Sequence, residues 1–222
     1  MKIRSCGFFL ACVIGWGLFL ATPSQAEFYV AGQLGFSFPQ KFGAITGTGS
    51  ASGLTKDDIG LQNSFLYGGK IGYFFRYGTS VGIEMEAFTT NPNVKAQATT
   101  IGFGGAPLVT FADRGNNVRL ITSAINVIVR FPGQQFGPYL EPHFYMGAGP
   151  GIFFARLSDL PGKSSDTALG LNVLGGVRVF LSKNTAVFVE YKHNRATFKF
   201  DELLLKADYS AHHVVFGVGF HF

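Results

Sequence analysis

The sequence predicts an all-β fold, an eight-stranded antiparallel up-and-down transmembrane β-barrel with short turns at one end and long loops at the other. Three observations predict it. Apolar and polar residues alternate with a period of two along about eight segments. The connections between these segments are alternately long and short. Large apolar residues share one face that carries almost no charge, whereas glycines and nearly all the strand charges share the other.

The first 26 residues are interpreted as a secretory signal peptide that is cleaved after Ala26, which leaves residues 27–222 as the barrel domain. Lys2 and Arg4 precede an apolar run, and the run is followed by Pro23-Ser24-Gln25-Ala26, a small-x-small cleavage site. The alternative interpretation is a membrane anchor. The run is a little short for an anchor, and the small-residue site argues against one.

Cleavage would change the composition of the mature chain. It removes both cysteines, Cys6 and Cys12, and the single tryptophan, which excludes a disulfide scaffold and a cysteine metal site. Because the cleaved segment contains Lys2 and Arg4 and no acidic residue, its removal lowers the formal net charge from +5 to +3. That charge is too small to indicate a nucleic-acid partner. The remainder contains no apolar run long enough for a membrane helix.

The eight strands follow one another with similar alternation. They are predicted at about 28–37, 65–75, 81–88, 118–131, 138–152, 168–181, 185–194 and 209–222. The last strand ends on a bare aromatic residue, Phe222. A strand edge of this kind would aggregate in water unless it is paired. In a closed barrel the last strand pairs with the first, so no edge remains.

The connections predict which end of the barrel faces outward. Short turns are expected near Arg76–Thr79, Phe131–Gly137 and Leu181–Asn184, and long loops near Phe38–Gln62, Thr89–Asn117, Ala155–Thr167 and Arg195–Asp208. This alternation is typical of outer-membrane barrels, with short periplasmic turns and long extracellular loops. It also places both termini at the periplasmic end.

The long loops differ in composition. The first is rich in Gly, Ser and Thr and is expected to be mobile, and the second alternates around residues 94–111 and is expected to extend the barrel. The fourth contains Phe198, Phe200 and Leu203-Leu204-Leu205. This apolar cluster could pack over the barrel mouth, lie in the outer leaflet or bind a partner, and packing over the mouth is slightly favoured.

The inward face is predicted from the distribution of charge. A solvated outer surface is rarely glycine-rich, whereas the crowded lumen of a small barrel needs small residues beside long ones. We therefore expect lipid outside and charges inside. The predicted lumen charge network consists of Lys70, Glu84, Glu86, Glu141, His143, Arg178, Glu190 and Lys192.

Two roles of this network stay open at this point. In a lumen with little water, each charge needs a partner, and the three bases and four acids could form an interlocked plug. The alternative is a gated ion path or a proton relay through His143. The plug is favoured because an eight-stranded barrel has an interior that side chains can fill.

Three stretches resemble the small outer-membrane β-barrel family that includes the transmembrane domain of OmpA and the OmpX-like proteins. They are "PYLEPHFYMGAGPGIFF" (138–154), "LGGVRVFLSKNTAVFVEYKH" (174–193) and "HHVVFGVGFHF" (212–222). The resemblance implies a Gram-negative outer-membrane location and partners that include outer-membrane lipid, lipopolysaccharide and periplasmic chaperones. It also implies that the barrel-assembly machinery reads a C-terminal signal at Val214, Phe216, Val218, Phe220 and Phe222. Alternatively, Phe222 anchors the strand at the lipid–water interface, and both roles can hold together.

A catalytic function is weighed because lipid A deacylases are barrels of similar size with a His-x-Ser-Asn motif. Here His193-Asn194-Arg195 has arginine at the position of the nucleophilic serine, so His193 has no hydroxyl to activate. The adjacent pair His212-His213 lacks a second ligand motif, so no metal site is predicted. We expect no catalytic residues, no cofactor and no metal.

The sequence therefore predicts a monomeric barrel, plugged inside, that serves membrane structure and surface interaction through its loops. A narrow channel for small or apolar solutes, in the manner of OmpW-type barrels, is the alternative. A lipid-modifying outer-membrane enzyme is kept as a remote alternative.

Overall fold

The computed structural model describes residues 27–40, 42–75, 81–104, 106–113, 118–133, 141–157, 165–200 and 204–222. The interpretation of residues 1–26 as a signal peptide therefore lies outside the described residues, as do the turn at 76–80 and most of the turn that follows residue 133. Within the described ranges, no helix is long and apolar enough to cross a lipid bilayer.

Twelve strands are described. They are β1 (Glu27–Pro39), β2 (Gly43–Gly47), β3 (Leu54–Lys56), β4 (Ser64–Phe74), β5 (Val81–Thr90), β6 (Gln97–Phe103), β7 (Ala106–Asp113), β8 (Val118–Pro132), β9 (Glu141–Leu157), β10 (Ser165–Phe180), β11 (Thr185–Phe200) and β12 (Leu205–His221). A 3-10 turn at Gly49–Ala51 lies between β2 and β3.

Eight of the strands close into an antiparallel barrel. Each strand in the order β1, β4, β5, β8, β9, β10, β11, β12 pairs with the next, and β12 pairs back with β1. The closing register joins Val30 to Phe220 and Leu34 to Phe216, and the backbone N–H of Phe222 donates to the carbonyl of Phe28 at 2.9 Å. The predicted eight-stranded barrel is confirmed, and the terminal strand has a neighbour on each side.

Side chains alternate between the barrel exterior and its lumen because successive residues of a strand point to opposite faces. Along β1, Leu34 is 67% exposed, whereas Gln33 on the other face is 3% exposed. On β12, the predicted terminal residues Phe216, Val218, Phe220 and Phe222 are exposed on the outer face, and Val214 on that face is half-buried. The apolar face therefore points outward and the polar face inward.

The two ends of the barrel are built differently. The turn end is marked by the tight turn at residues 181–184, where the backbone N–H of Leu181 donates to the carbonyl of Thr185 at 2.9 Å. The loop end carries β2, β3, β6 and β7, which continue the sheet outward from β12. The second loop, which was expected to extend the barrel, forms the hairpin β6–β7, and β6 joins the sheet at this end by pairing with β3. The first loop, expected to be mobile, instead contains β2 and β3, which pair with β12, β6 and each other.

Several strands are longer than the alternation predicts. The long loop expected from Arg195 to Asp208 is mostly strand, because β11 continues to Phe200 and β12 begins at Leu205. Likewise β9 and β10 extend to Leu157 and Ser165. These extensions lie beyond the apolar outward band. The outward residues there are no longer apolar, so the alternation of apolar and polar residues ends before the strands do.

The lumen contains an apolar cluster towards each end. The loop-end cluster contains fourteen buried residues: Phe42, Ile45, Leu61, Val94, Val118, Leu120, Phe153, Ala155, Ala168, Ala196, Phe198, Ala207, Tyr209 and Ala211. Of the apolar residues expected to pack over the mouth, Phe198 is 0% exposed in this cluster and Leu205 packs against it, whereas Leu204 is 37% exposed. The side chains of Phe200 and Leu203 lie outside the described residues. The turn-end cluster contains Tyr29, Ala31, Leu66, Phe74, Phe88, Ile128, Tyr145, Leu174, Phe188 and Val215. Charged side chains lie among these residues.

Candidate functional site

The barrel strands place seven of the eight predicted charge-network residues in the lumen. Lys70 lies on β4, Glu84 and Glu86 on β5, His143 on β9, Arg178 on β10, and Glu190 and Lys192 on β11; all are buried. Each lies on the face opposite the large apolar residues, which is why face parity finds them. The backbone of Glu141 begins β9, but its side chain lies outside the described residues.

Five of these side chains form a continuous chain of ion pairs across the lumen. The ammonium of Lys70 lies 3.3 Å from a carboxylate oxygen of Glu84 and 2.7 Å from one of Glu190. The ammonium of Lys192 lies 2.9 Å from the other oxygen of Glu190 and also pairs with Glu86. Acids and bases therefore alternate in the order Glu84, Lys70, Glu190, Lys192, Glu86.

A ladder of side-chain amides surrounds the Glu86 end of this chain. Asn126 and Asn172 donate to Glu86 Oε1 at 3.1 and 2.7 Å. Asn172 also donates to Asn126 at 2.8 Å, and Asn194 donates to Asn172 at 2.7 Å. Gln33 donates to Glu86 Oε2 at 3.3 Å. Each of these amides is buried, so side-chain N–H donors replace the hydrogen bonds that water would otherwise donate to the Glu86 carboxylate.

The amide ladder was missed by reasoning from charge alone. Asn126, Asn172 and Asn194 carry no charge, yet each occupies an inward position of a barrel strand. That combination was a usable signal, because an amide on the lumen side of a membrane barrel must find hydrogen-bond partners inside the protein.

Arg178 departs from the expected ion pairing with a glutamate. In the described part of the chain, no ion pair joins its guanidinium to a carboxylate, and its Nε and Nη1 have no hydrogen-bond partner. Its guanidinium carbon lies 4.3 Å from the ring centroid of Tyr29 and 5.3 Å from that of Tyr145. The Tyr29 hydroxyl donates to Glu84. Arg178 therefore meets the network through an aromatic ring instead of directly, as a cation–π contact.

The formal charges of the network cancel among the side chains that the structure describes. Lys70, Lys192 and Arg178 supply three positive charges, and Glu84, Glu86 and Glu190 supply three negative ones. Buried charges without compensation are strongly disfavoured in a lumen that holds little water. The balance fits a set of side chains that stays closed, since no described member needs an external counter-ion.

The turn end holds a smaller polar cluster that the sequence analysis did not assemble. Glu27 pairs with Arg130, whose nitrogen lies 2.7 Å from its carboxylate, and His221 Nδ1 lies 2.6 Å from Glu27. Arg130 also lies over the Phe74 ring at 4.1 Å. His143 lies at this end, with its ring centroid 5.1 Å from that of Phe180. The three residues Glu27, Arg130 and His221 link β1, β8 and β12 below the main network.

The residues considered for catalysis lie on the outer face. The rings of His193 and His212 have centroids 4.7 Å apart, and His212 accepts or donates hydrogen bonds with Tyr191 and Gln40. Arg195 is exposed on the same face. His213 instead points inward and packs against Phe88, with ring centroids 5.5 Å apart. Among the described residues, no group of three or more His, Cys, Asp or Glu could hold a metal ion.

The sequence model of one protein family, the outer membrane protein beta-barrel domain, matches residues 9–222. The chain belongs to this family. Membership implies location in the outer membrane of a Gram-negative bacterium, so the turn end corresponds to the periplasmic turns of the family layout and the loop end to the extracellular side. No curated protein sequence matches the chain.

Three solved structures are among those to which the chain is similar. Neisserial surface protein A is 17% identical, with a TM-score of 0.53, and the match covers 88% of this chain and 97% of that one. The N-terminal barrel of Pseudomonas aeruginosa OprF is 14% identical, with a TM-score of 0.41 and coverage of 88% and 97%. The Escherichia coli outer-membrane protease OmpT is 8% identical, with a TM-score of 0.46 and coverage of 91% and 99%. At these identities the likeness to Neisserial surface protein A shows the fold alone.

Proposed function

We propose that this outer-membrane barrel is closed to solutes, stabilises the membrane and presents its loop-end strands to surfaces or ligands. The observation that carries the proposal is the chain of ion pairs from Glu84 to Glu86 through Lys70, Glu190 and Lys192. A path for ions along the axis would have to separate these partners, and breaking a buried pair costs about 3–5 kcal/mol.

The loop-end apolar cluster adds a second barrier above the charges. Phe198 and Phe153, which are 0% and 1% exposed, pack there with Phe42, whose ring centroid lies 6.2 Å from that of Phe198. An ion on the axis would meet aromatic and aliphatic side chains that cannot replace its hydration shell. This layer argues against the narrow-channel alternative for polar solutes.

Conductance in planar bilayers tests the closed lumen. We expect no steady single-channel steps from the wild-type protein or from Glu84→Gln and Arg178→Gln, because most of the network and the whole apolar layer remain in each. Glu27→Gln makes the same chemical change in the partly exposed turn-end cluster and serves as the matched control. Steady steps that change size in Glu84→Gln or Arg178→Gln, but not in Glu27→Gln, would overturn the plug in favour of a channel.

The orientation of the loops has its own test. Lys95 is exposed at the loop end, and Lys183 is exposed in the turn at the other end. Trypsin added to intact cells should cut after Lys95 and leave Lys183 uncut until the outer membrane is opened. Cleavage at Lys183 in intact cells would refute the surface role of the loop end without bearing on the plug.

The terminal strand is the part of the proposal that concerns assembly. Val214, Phe216, Val218, Phe220 and Phe222 form one outward face next to β1, where the barrel closes. We infer that the barrel-assembly machinery reads this face and that periplasmic chaperones deliver the chain to it. The barrel is proposed to act as a monomer in a lipopolysaccharide-containing membrane.

A further inference from the structure

Two arginines face each other on the outside of the barrel near its loop end. Arg119 on β8 and Arg156 on β9 are direct cross-strand partners, and both side chains are exposed. The adjoining pair, Leu120 and Ala155, points into the lumen, where each is 2% exposed. The guanidiniums therefore project from the outer surface on neighbouring strands.

Like charges in this arrangement repel. Directly opposed residues of an antiparallel pair have Cβ atoms about 4.5–5.5 Å apart, and two cations there destabilise the sheet. On the far side of Arg156, its partner on β10 is Ser165, which carries no charge. Among the described residues, no ion pair joins either arginine to an acid. By contrast, the lumen cations Lys70, Lys192 and Arg178 each have an acid or an aromatic ring beside them.

A second like-charged pair shows the contrast. Lys199 on β11 faces Lys206 on β12, but Asp208 follows two residues after Lys206 on the same face of β12. The backbone N–H of Lys199 also donates to Asp166 at 2.6 Å. Acids therefore accompany the lysine pair, whereas the arginine pair has none in the described part of the chain.

The arginine pair lies at the outer boundary of the apolar band. Ile121 and Phe154, two residues further into the membrane, are also direct partners, and they are 39% and 43% exposed. Two residues of strand span about 7 Å, so the arginines follow this apolar pair by about that distance along the strands, towards the loop end. An anion at that height with acyl chains below it would fit both surfaces at once.

We propose that Arg119 and Arg156 form a binding site for the phosphate of an outer-leaflet lipid whose acyl chains lie along Ile121 and Phe154. Guanidinium binds phosphate through two parallel hydrogen bonds, and two guanidiniums on adjacent strands can hold one phosphate between them. The phosphate removes the repulsion between the arginines. This site rests on the outer-membrane location but not on the closed lumen.

The test measures lipid binding by the refolded mature chain in detergent micelles, with native mass spectrometry as the readout. The probes are bis-phosphorylated lipid A and the same lipid A after phosphate removal. Wild-type protein should bind the phosphorylated form about ten-fold more tightly or better, in line with charge-assisted hydrogen bonds. Arg119→Gln with Arg156→Gln should remove this preference. Arg119→Lys with Arg156→Lys should keep part of it, because lysine keeps the charge but cannot bind in a bidentate manner.

Lys183→Gln is the control, because it removes one exposed positive charge at the turn end, far from the proposed site. It should leave the preference unchanged. Equal binding of both forms of lipid A by the wild-type protein would overturn the proposal. So would equal losses in Lys183→Gln and the double glutamine variant, or tight binding of a soluble sulfated oligosaccharide with no binding of lipid A. The double glutamine variant should stay non-conducting, so failure here is distinguishable from failure of the plug.

Discussion

Glu86 is the residue at which the lumen network is most sensitive to a single change. Its carboxylate pairs with Lys192 and accepts hydrogen bonds from Asn126, Asn172 and Gln33. Glu86→Gln keeps the shape of the side chain but replaces one acceptor with a donor and removes the negative charge. The new NH2 group would face either the ammonium of Lys192 or the donor amides of Asn126 and Asn172, and the formal charge of the described network would become +1.

The magnitude follows from the contacts that remain. Removing one partner of a buried ion pair costs about 3–5 kcal/mol. Lys192 keeps Glu190 at 2.9 Å, which places the expected loss at the lower end. We therefore expect Glu86→Gln to lower the free energy of unfolding by about 3 kcal/mol. Glu27→Gln, in which the lost pair is partly exposed, should cost about 1 kcal/mol or less.

Urea unfolding in lipid vesicles, followed by far-ultraviolet circular dichroism and by the gel mobility of unheated samples, measures both variants. Comparing the two variants is decisive because they make the same chemical change, one in a buried ion pair and the other in a partly exposed one. Equal losses for Glu86→Gln and Glu27→Gln, each below about 1 kcal/mol, would refute the claim that the ion-pair chain holds the barrel together. A double variant, Glu86→Gln with Lys192→Met, should recover part of the loss, because it makes the positive and negative formal charges of the described network equal again.

Three further outcomes are expected from the packing. Gly149→Ala should prevent folding or severely destabilise the barrel, because the new Cβ would lie 1.8 Å from the carbonyl oxygen of Ile125 on β8. Gly32→Ala is the control and should fold normally, because no atom lies within 4 Å of its new Cβ. The gel mobility of unheated samples compares the two variants, and equal mobility would contradict the packing of β8 on β9. Phe198→Ala should lower the free energy of unfolding by about 3–5 kcal/mol, because the ring is fully buried in the loop-end cluster. A loss below about 1 kcal/mol in urea unfolding would contradict the tight packing of this cluster, on which the second barrier depends. Phe222→Ala should change unfolding by only about 0.5 kcal/mol, because the ring is 73% exposed, but should slow the appearance of folded barrel in cells; unchanged assembly kinetics would refute the signal role.

The barrel and its inside-out polarity could be predicted from the sequence because lipid imposes both strand closure and strict alternation. Lys70, Glu84 and Glu190 are found by parity alone, since each occupies an inward position between large outward residues. Beyond the apolar band the outward face is polar, so alternation no longer distinguishes strand from loop. For that reason the extension of β11 to Phe200 and the pairing of β2 with β12 were not foreseen.

The partners of Arg178 could not be predicted for a different reason. Parity assigns a side chain to the lumen, but the height at which it meets other strands depends on strand tilt and stagger. Tyr29 on β1 and Arg178 on β10 come together only once the barrel has closed. The amide ladder of Asn126, Asn172 and Asn194 likewise joins three strands whose relative heights the sequence does not state.

The division of lumen charge between two hairpins has a consequence for how the barrel enters the bilayer. The hairpin β4–β5 contributes Lys70, Glu84 and Glu86 and is left with one excess negative charge, while β10–β11 contributes Arg178, Glu190 and Lys192 and has one excess positive charge. Neither hairpin alone could sit in a hydrocarbon layer without a bare charge. Insertion of one of these hairpins into the bilayer without the other is therefore disfavoured. The opposite excess charges of the two hairpins attract each other across the lumen and favour closure of the barrel by the pairing of β1 with β12.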